Sequence, residues 1–143
     1  MKQKIFRSLA ESKLKLPLFL SPVRAGFPSP ADDYIEKKLD LNEYLIENPP
    51  ATFFLRVSGD SMKDACIREN DLLIVDSSRR PTAENIVVAA LNGELTLKRI
   101  RKIKGKLYLA AENSDYEPIP VNEESELVIW GVVIHAVSHF FKK

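Results

Sequence analysis

Past Pro50 the chain becomes a series of short apolar-rich runs broken by polar turns. Thr52–Val57, Asp71–Asp76, Asn85–Leu91, Glu94–Ile103, Lys106–Ala111 and Leu127–Ala136 are rich in β-branched or aromatic residues, which predicts strands. Asn92-Gly93 falls between two of them and suits a type I′ hairpin turn, whose central residues both take positive φ. Short strands at fairly regular spacing predict a mainly β, partly closed barrel-like domain. Leu127–Ala136 is the most apolar run, expected to cross the core with part of its surface left for a partner; Trp130 reads as core or dimer interface.

Before Pro50 the pattern differs. Asp40 can cap a short helix over Leu41–Glu47, stopped by Pro49-Pro50. Residues 1–31 read as an extended N-terminal arm. Its last part, Ser21–Pro30, packs three prolines and a glycine into ten residues. Proline fixes φ and opposes helix and interior strand, so this stretch should be extended and accessible. The expected organisation is an arm over 1–31 and a folded domain over 32–143.

A length of 143 residues suits one domain with a real core. No apolar run approaches the ~18 residues of a membrane span, and the basic N-terminus is followed by no secretory signal pattern. A cytoplasmic protein without a membrane partner is expected. Cys66 is the single cysteine, which excludes an intramolecular disulfide framework and fits a reducing compartment; it reads as a small buried thiol rather than a nucleophile. The net charge of +1 hides an asymmetry. Residues 1–25 carry six basic residues and one acid, for +5, and the remainder carries −4. A basic arm can rest on its own acidic body or on a nucleic-acid or protein partner. Cutting after Ala25 would change the surface charge as well as the length.

Three features carry candidate chemistry. Ser61 lies in Val57-Ser58-Gly59-Asp60-Ser61-Met62-Lys63-Asp64, Lys98 in Leu95-Thr96-Leu97-Lys98-Arg99, and the small-residue bond Ala25-Gly26 in the proline-rich loop. A serine hydroxyl is a poor nucleophile until a base removes its proton, and Ser-Lys pairs are one solution. Lysine serves as base only where desolvation favours its neutral form. Strand alternation places Thr96, Lys98 and Ile100 on one face, and Leu95, Leu97 and Arg99 on the other. Arg99 cannot be the base, because guanidinium stays charged. By pattern alone Lys98 belongs equally to a solvated basic strand, Ser61 to a turn or helix cap, and Ala25-Gly26 to an ordinary loop. His135 and His139 have a zinc spacing only on a helix and follow a strand-like run, so no metal site is expected. The basic run Lys98–Lys106 could touch nucleic acid, although exposed strand faces commonly carry such charges. No phosphate-binding glycine loop occurs, and no cofactor is expected.

These motifs in this order, with Asn70-Asp71-Leu72-Leu73-Ile74-Val75-Asp76 between them, resemble the UmuD-type proteins. Those self-cleaving SOS mutagenesis factors share a peptidase domain with LexA-type repressors, and the resemblance runs from about Leu16 to His135. It implies a LexA/UmuD-like β fold, Ser61 as nucleophile, Lys98 as general base, Ser58 as a supporting turn residue and Ala25-Gly26 as the bond cut. Familiar UmuD proteins carry Cys-Gly at that bond, and LexA-type repressors carry Ala-Gly. Backbone N–H groups of Asp60 and Ser61 are the oxyanion-hole candidates, with Gly59 allowing the tight turn. The resemblance further implies a homodimer, cleavage promoted by a RecA filament on single-stranded DNA, and a cut body that joins a UmuC-type Y-family polymerase in error-prone translesion synthesis. Two alternatives stand beside it. A LexA-type or phage repressor would need a helix-turn-helix domain before the cut, for which 25 residues are too few. A non-catalytic β-barrel interaction module would keep the motif without the activity.

Overall fold

The computed structural model describes residues 13–19, 23, 25–26 and 35–141. The chain divides into two units, one up to Glu47 and one from Asn48.

In the first unit, β1 (Lys15–Phe19) pairs antiparallel with β2 (Ile35–Asp40), in register from Lys15 opposite Asp40 to Phe19 opposite Ile35. No strand was expected before Pro50, and the arm expected over residues 1–31 therefore contains one. The strand contains Pro17, which is tolerated because in a two-stranded sheet each strand is an edge. Helix α1 follows at Leu41–Leu45, two residues shorter than expected. The Asp40 side chain caps it, accepting from the N–H of Asn42 at 3.0 Å and of Glu43 at 3.5 Å. Ala25 and Gly26 are both exposed, and Gly26 takes φ +111°, a conformation that a side chain would oppose.

The second unit is a seven-stranded sheet of β3 (Thr52–Arg56), β4 (Leu72–Asp76), β5 (Ile86–Leu91), β6 (Glu94–Ile103), β7 (Lys106–Ala110), β8 (Ile119–Pro120) and β9 (Leu127–Val137). Its spatial order is β3-β4-β9-β5-β6-β7-β8, and all neighbours run antiparallel. The last strand thus lies inside the sheet, between β4 and β5, as its apolar run suggested, while Val128 and Trp130 keep exposed surface and Trp130 meets Phe53 edge to face. The Asn92-Gly93 turn joins β5 to β6 with both φ values positive. The two-residue strand β8, containing Pro120, carries too short a signal to be read from sequence.

Two apolar clusters form the core. Val57, Met62, Ile67, Leu73, Val75 and Val88 make one; Val87, Ala89, Ile100, Leu109 and Val132 make the other. Val87 and Val88 are consecutive, so β5 divides its side chains between the two by strand alternation. Each buried Val, Leu, Ile or Met among them contributes roughly 1.5–3 kcal/mol. Strand β9 bulges against both neighbours, between Ile74 and Val75 on β4 and between Val88 and Ala89 on β5. Gly131 lies at this bend, where a Cβ would come within 2.7 Å of Val75 Cγ1 and 3.1 Å of the Asp76 carbonyl oxygen.

Candidate active site

Ser61 is presented by the connection from β3 to β4. The connection is closed at its base, where the Val57 N–H donates to the Asp71 carbonyl (2.9 Å) and the Asn70 N–H to that of Val57 (2.8 Å). Gly59 takes φ +89°, which turns the chain sharply before the serine. The next residue, Met62, is 1% exposed and anchors the turn in the first core cluster. Ser61 is therefore half-buried, between the exposed Asp60 and a fully buried side chain.

Lys98 comes from β6, opposite Val87 of β5. Strand β7 joins β6 only from Arg99 onward, so among the described residues Glu94–Lys98 is paired on one side and open on the other. The Lys98 side chain bends toward the turn, and its Nζ lies 3.4 Å from Ser61 Oγ and 3.2 Å from the Leu97 carbonyl oxygen. The Tyr116 ring centroid is 6.0 Å from Nζ. Among the described residues no carboxylate forms an ion pair with Lys98, and burial lowers its pKa below the ordinary lysine value. As an ammonium it donates to Ser61 Oγ; once neutral, it presents a lone pair that can take the hydroxyl proton. The pair opens into a cleft of about 390 Å³ running from Leu55 and Arg56 past Ser58–Met62 to Leu95–Lys98 and Tyr116.

Fold and turn thus bring Ser61 and Lys98 together from 37 positions apart. Ser58 lines the same cleft and is exposed. Cys66, expected to be buried, is exposed instead: it ends a short 3₁₀ turn in the left-handed conformation, φ 62°. His135 lies on β9, facing Ile74 across the pairing, and His139 lies past the strand end, so the helical zinc spacing does not apply. Of the basic run, Arg99 and Arg101 are engaged by Glu112 at 2.5 and 2.7 Å, and Arg101 also by Glu84 at 3.3 Å. Tyr116 went unnoticed in sequence. Its hydroxyl donates to Asp60 Oδ1 at 3.2 Å, which raises the phenol pKa because ionisation would bring it against that carboxylate. The oxyanion candidates Asp60 and Ser61 sit in the turn itself.

The sequence profile of the S24-like peptidases matches residues 17–134, most of the chain and every residue lining the cleft. The chain belongs to the S24 peptidase family. Protein MucA of Salmonella typhimurium is 41% identical over 139 residues, covering 96% of this chain and 94% of MucA. Protein SamA of the same species is 46% identical over 117 residues, 82% of this chain and 81% of SamA. LexA repressor 1 of Pseudomonas syringae pv. tomato is 40% identical over 116 residues, 80% of this chain but 57% of the repressor. The resemblance to UmuD-type mutagenesis proteins is borne out, as is the mainly β fold of this S24 chain. Family and relatives place it among the SOS-related self-cleaving peptidases. Among the described residues of this S24 member, no helix is long and apolar enough to cross a membrane.

Proposed function

We propose that this chain is a Ser-Lys peptidase whose substrate is its own Ala25–Gly26 bond, with Ser61 as nucleophile and Lys98 as general base. The observation that carries the reading is the 3.4 Å approach of Lys98 Nζ to Ser61 Oγ at a site where burial disfavours the ammonium. Neutral Lys98 takes the Ser61 hydroxyl proton while Oγ attacks the Ala25 carbonyl carbon. The backbone N–H groups of Asp60 and Ser61 stabilise the resulting oxyanion. As the intermediate collapses, the C–N bond breaks, and Lys98 returns its proton to the departing Gly26 amine. Water, deprotonated by the same lysine, then releases residue 25 as a carboxylate and restores Ser61.

The open edge of β6 over Glu94–Lys98 offers main-chain hydrogen bonds to an extended peptide, the form that Ser21–Pro30 favours. Small residues at Ala25 and Gly26 let that peptide approach a nucleophile closely. Carrying the bond on the same chain raises its effective concentration, which lets a weak catalyst suffice. In this reading residues 1–31 are the arm and 32–143 the peptidase and interaction domain.

The remaining roles follow from kinship to the UmuD-type proteins. A RecA filament on single-stranded DNA stimulates the cut, and the body from Gly26 onward joins a UmuC-type Y-family polymerase for error-prone translesion synthesis in the cytoplasm. The chain acts as a homodimer, for which the exposed Val128 and Trp130 on β9 supply apolar surface. MucA aligns with 96% of this chain, against 80% for LexA repressor 1, which supports this over a repressor role.

Intact-mass spectrometry after incubation at pH 7 and pH 10, with Ser61→Ala alongside, tests the reading. A single cut between Ala25 and Gly26, faster at pH 10 and absent in the variant, is expected. No cut at either pH, nor after adding RecA, single-stranded DNA and a nucleotide, would leave a non-catalytic module.

A further inference from the structure

The loop that leaves β7, Ala111–Tyr116, runs beside the turn presenting Ser61 and is joined to it on both flanks of the serine. On one flank the Glu112 carbonyl accepts from the Asp64 N–H at 2.7 Å. On the other, Asn113 Nδ2 donates to the Asp60 carbonyl at 3.0 Å, and the Tyr116 hydroxyl donates to the Asp60 carboxylate. Asn113 is 4% exposed, and its Oδ1 accepts from the Asp115 N–H at 3.0 Å, so both ends of its amide are engaged. The Glu112 carboxylate meanwhile bridges Arg99 and Arg101. Those arginines follow Lys98 on β6, so one short loop ties the serine turn to the strand that carries the lysine.

The Asp60 carbonyl also accepts from the Lys63 N–H at 3.1 Å. Two donors therefore fix its direction. That carbonyl and the Ser61 N–H belong to one peptide unit, which is planar with the two groups pointing opposite ways. Whatever orients the Asp60 oxygen thus orients the Ser61 N–H, the group assigned above to the oxyanion. Resting on the reading of Ser61 as nucleophile, we propose that Asn113 is a positioning residue, which locks the Asp60–Ser61 peptide plane so that its N–H faces the developing oxyanion, with Tyr116 steadying Asp60 from the other side. Neither residue touches the scissile bond, and neither exchanges a proton in the reaction.

Asn113→Asp is the sharpest probe. It keeps the shape and the acceptor for the Asp115 N–H, but above neutral pH it turns a carboxylate oxygen, not a donor, toward the Asp60 carbonyl. Two rates are read on the full chain across pH 7–10: self-cleavage, and labelling of Ser61 by a small fluorophosphonate, located by peptide mass spectrometry. The labelling reports on the serine without needing the arm. Both rates are expected to fall ~10–100-fold at every pH, the scale of a misplaced reacting group or lost oxyanion donor. The new carboxylate favours the Lys98 ammonium and so can only raise the pH midpoint, whereas Tyr116→Phe adds no charge and leaves it in place. Tyr116→Phe, at a half-exposed position where nothing buried is lost, should show a smaller fall of the same kind and carries the test if Asn113→Asp does not fold. A lowered melting temperature with parental cleavage and labelling below the melt would make these residues structural and overturn the inference. Ser61→Ala separates the two levels. Cleavage persisting in that variant overturns the nucleophile reading and the inference with it, whereas a silent Ser61→Ala beside a fully active Asn113→Asp overturns the inference alone.

Discussion

At the end of β4, the Asp76 carboxylate is fully buried and accepts hydrogen bonds from Asn48 Nδ2, the Ser78 N–H, the Ser78 hydroxyl and Arg79 Nε. Midway along β6, the half-buried Lys98 ammonium meets, among the described residues, only a hydroxyl, one carbonyl and the face of a tyrosine ring. Both pKa values are lowered, yet the meaning is opposite. For Asp76 the hydrogen bonds, led by Ser78, outweigh desolvation and hold the pKa at about 2, which stabilises the charged form. For Lys98 desolvation acts without a compensating carboxylate and weakens the charged form. Burial alone therefore does not decide whether an ionisable group is structural or reactive; the number and kind of groups that replace its water do. One end of the sheet replaces water fully, while the cleft leaves the amine short of partners and able to shed its proton.

The largest effect that could break this contrast is kinetic. Lys98→Met should cut self-cleavage by ~10²–10⁴-fold, the usual worth of a general base, and Lys98→Arg should do the same because guanidinium stays protonated. Intact-mass time courses read both. If the lysine is held short of partners at a cost to the fold, Lys98→Met should also raise the melting temperature at pH 7, on the scale of ~0.5–2 kcal/mol for removing strain at an active site. In the parent, cleavage should accelerate from pH 7 toward 10; a flat profile would count against Lys98 as base.

Asp76→Ala should cost about 2–3 kcal/mol in urea unfolding at pH 7, because it strands the donors gathered round the carboxylate. The sign of its pH dependence follows from the lowered pKa. The unfolded chain binds the proton first, so the Asp76 contribution is whole above about pH 4 and is lost as pH falls toward about 2. Lys98 runs the other way: the folded state sheds its proton before the unfolded state does. Its burial therefore weighs against the fold at neutral pH and is relieved as pH climbs toward the ordinary lysine value. Acid and alkaline limbs of thermal melts, parent against Asp76→Asn and Lys98→Met, separate the two.

Gly131→Ala presses on the Asp76 side alone, since its Cβ would strike Val75 and the Asp76 carbonyl. About 1–3 kcal/mol of destabilisation is expected from this overpacking, with cleavage retained below the melt. Asp40 completes the series as a buried carboxylate that accepts from two backbone donors of its helix. Asp40→Ala should cost ~1 kcal/mol, the usual worth of an N-cap, read as a small loss of helical signal.

Much of this architecture was visible in the amino-acid order, where short-range physics decides. Runs of β-branched and aromatic residues between polar turns placed six of the seven strands of the second unit to within a residue, because such side chains suit the pleated backbone, and only the two-residue β8 escaped. Asn92-Gly93 and Asp40 announced their turn and cap, because positive φ and side-chain capping are properties of single residues. Where local signals fell short, the reading went astray. β1 went unread because its pairing depends on a partner some twenty residues away, and Cys66 was placed inside by residue type although a left-handed turn end carries it outward.

By itself the sequence determined which residues could do chemistry and, through kinship in motif, which were candidates: Ser61, Lys98 and the Ala25-Gly26 bond. Only the tertiary structure decided that Lys98 rather than a neighbouring cation meets Ser61, that Arg99 and Arg101 are instead tied to Glu112, and that Asn113 reaches back 53 positions to hold the Asp60 carbonyl. The reason is one of range. Backbone preferences act over a few residues, whereas desolvation and hydrogen bonding at a site depend on which distant strands and loops the fold packs together.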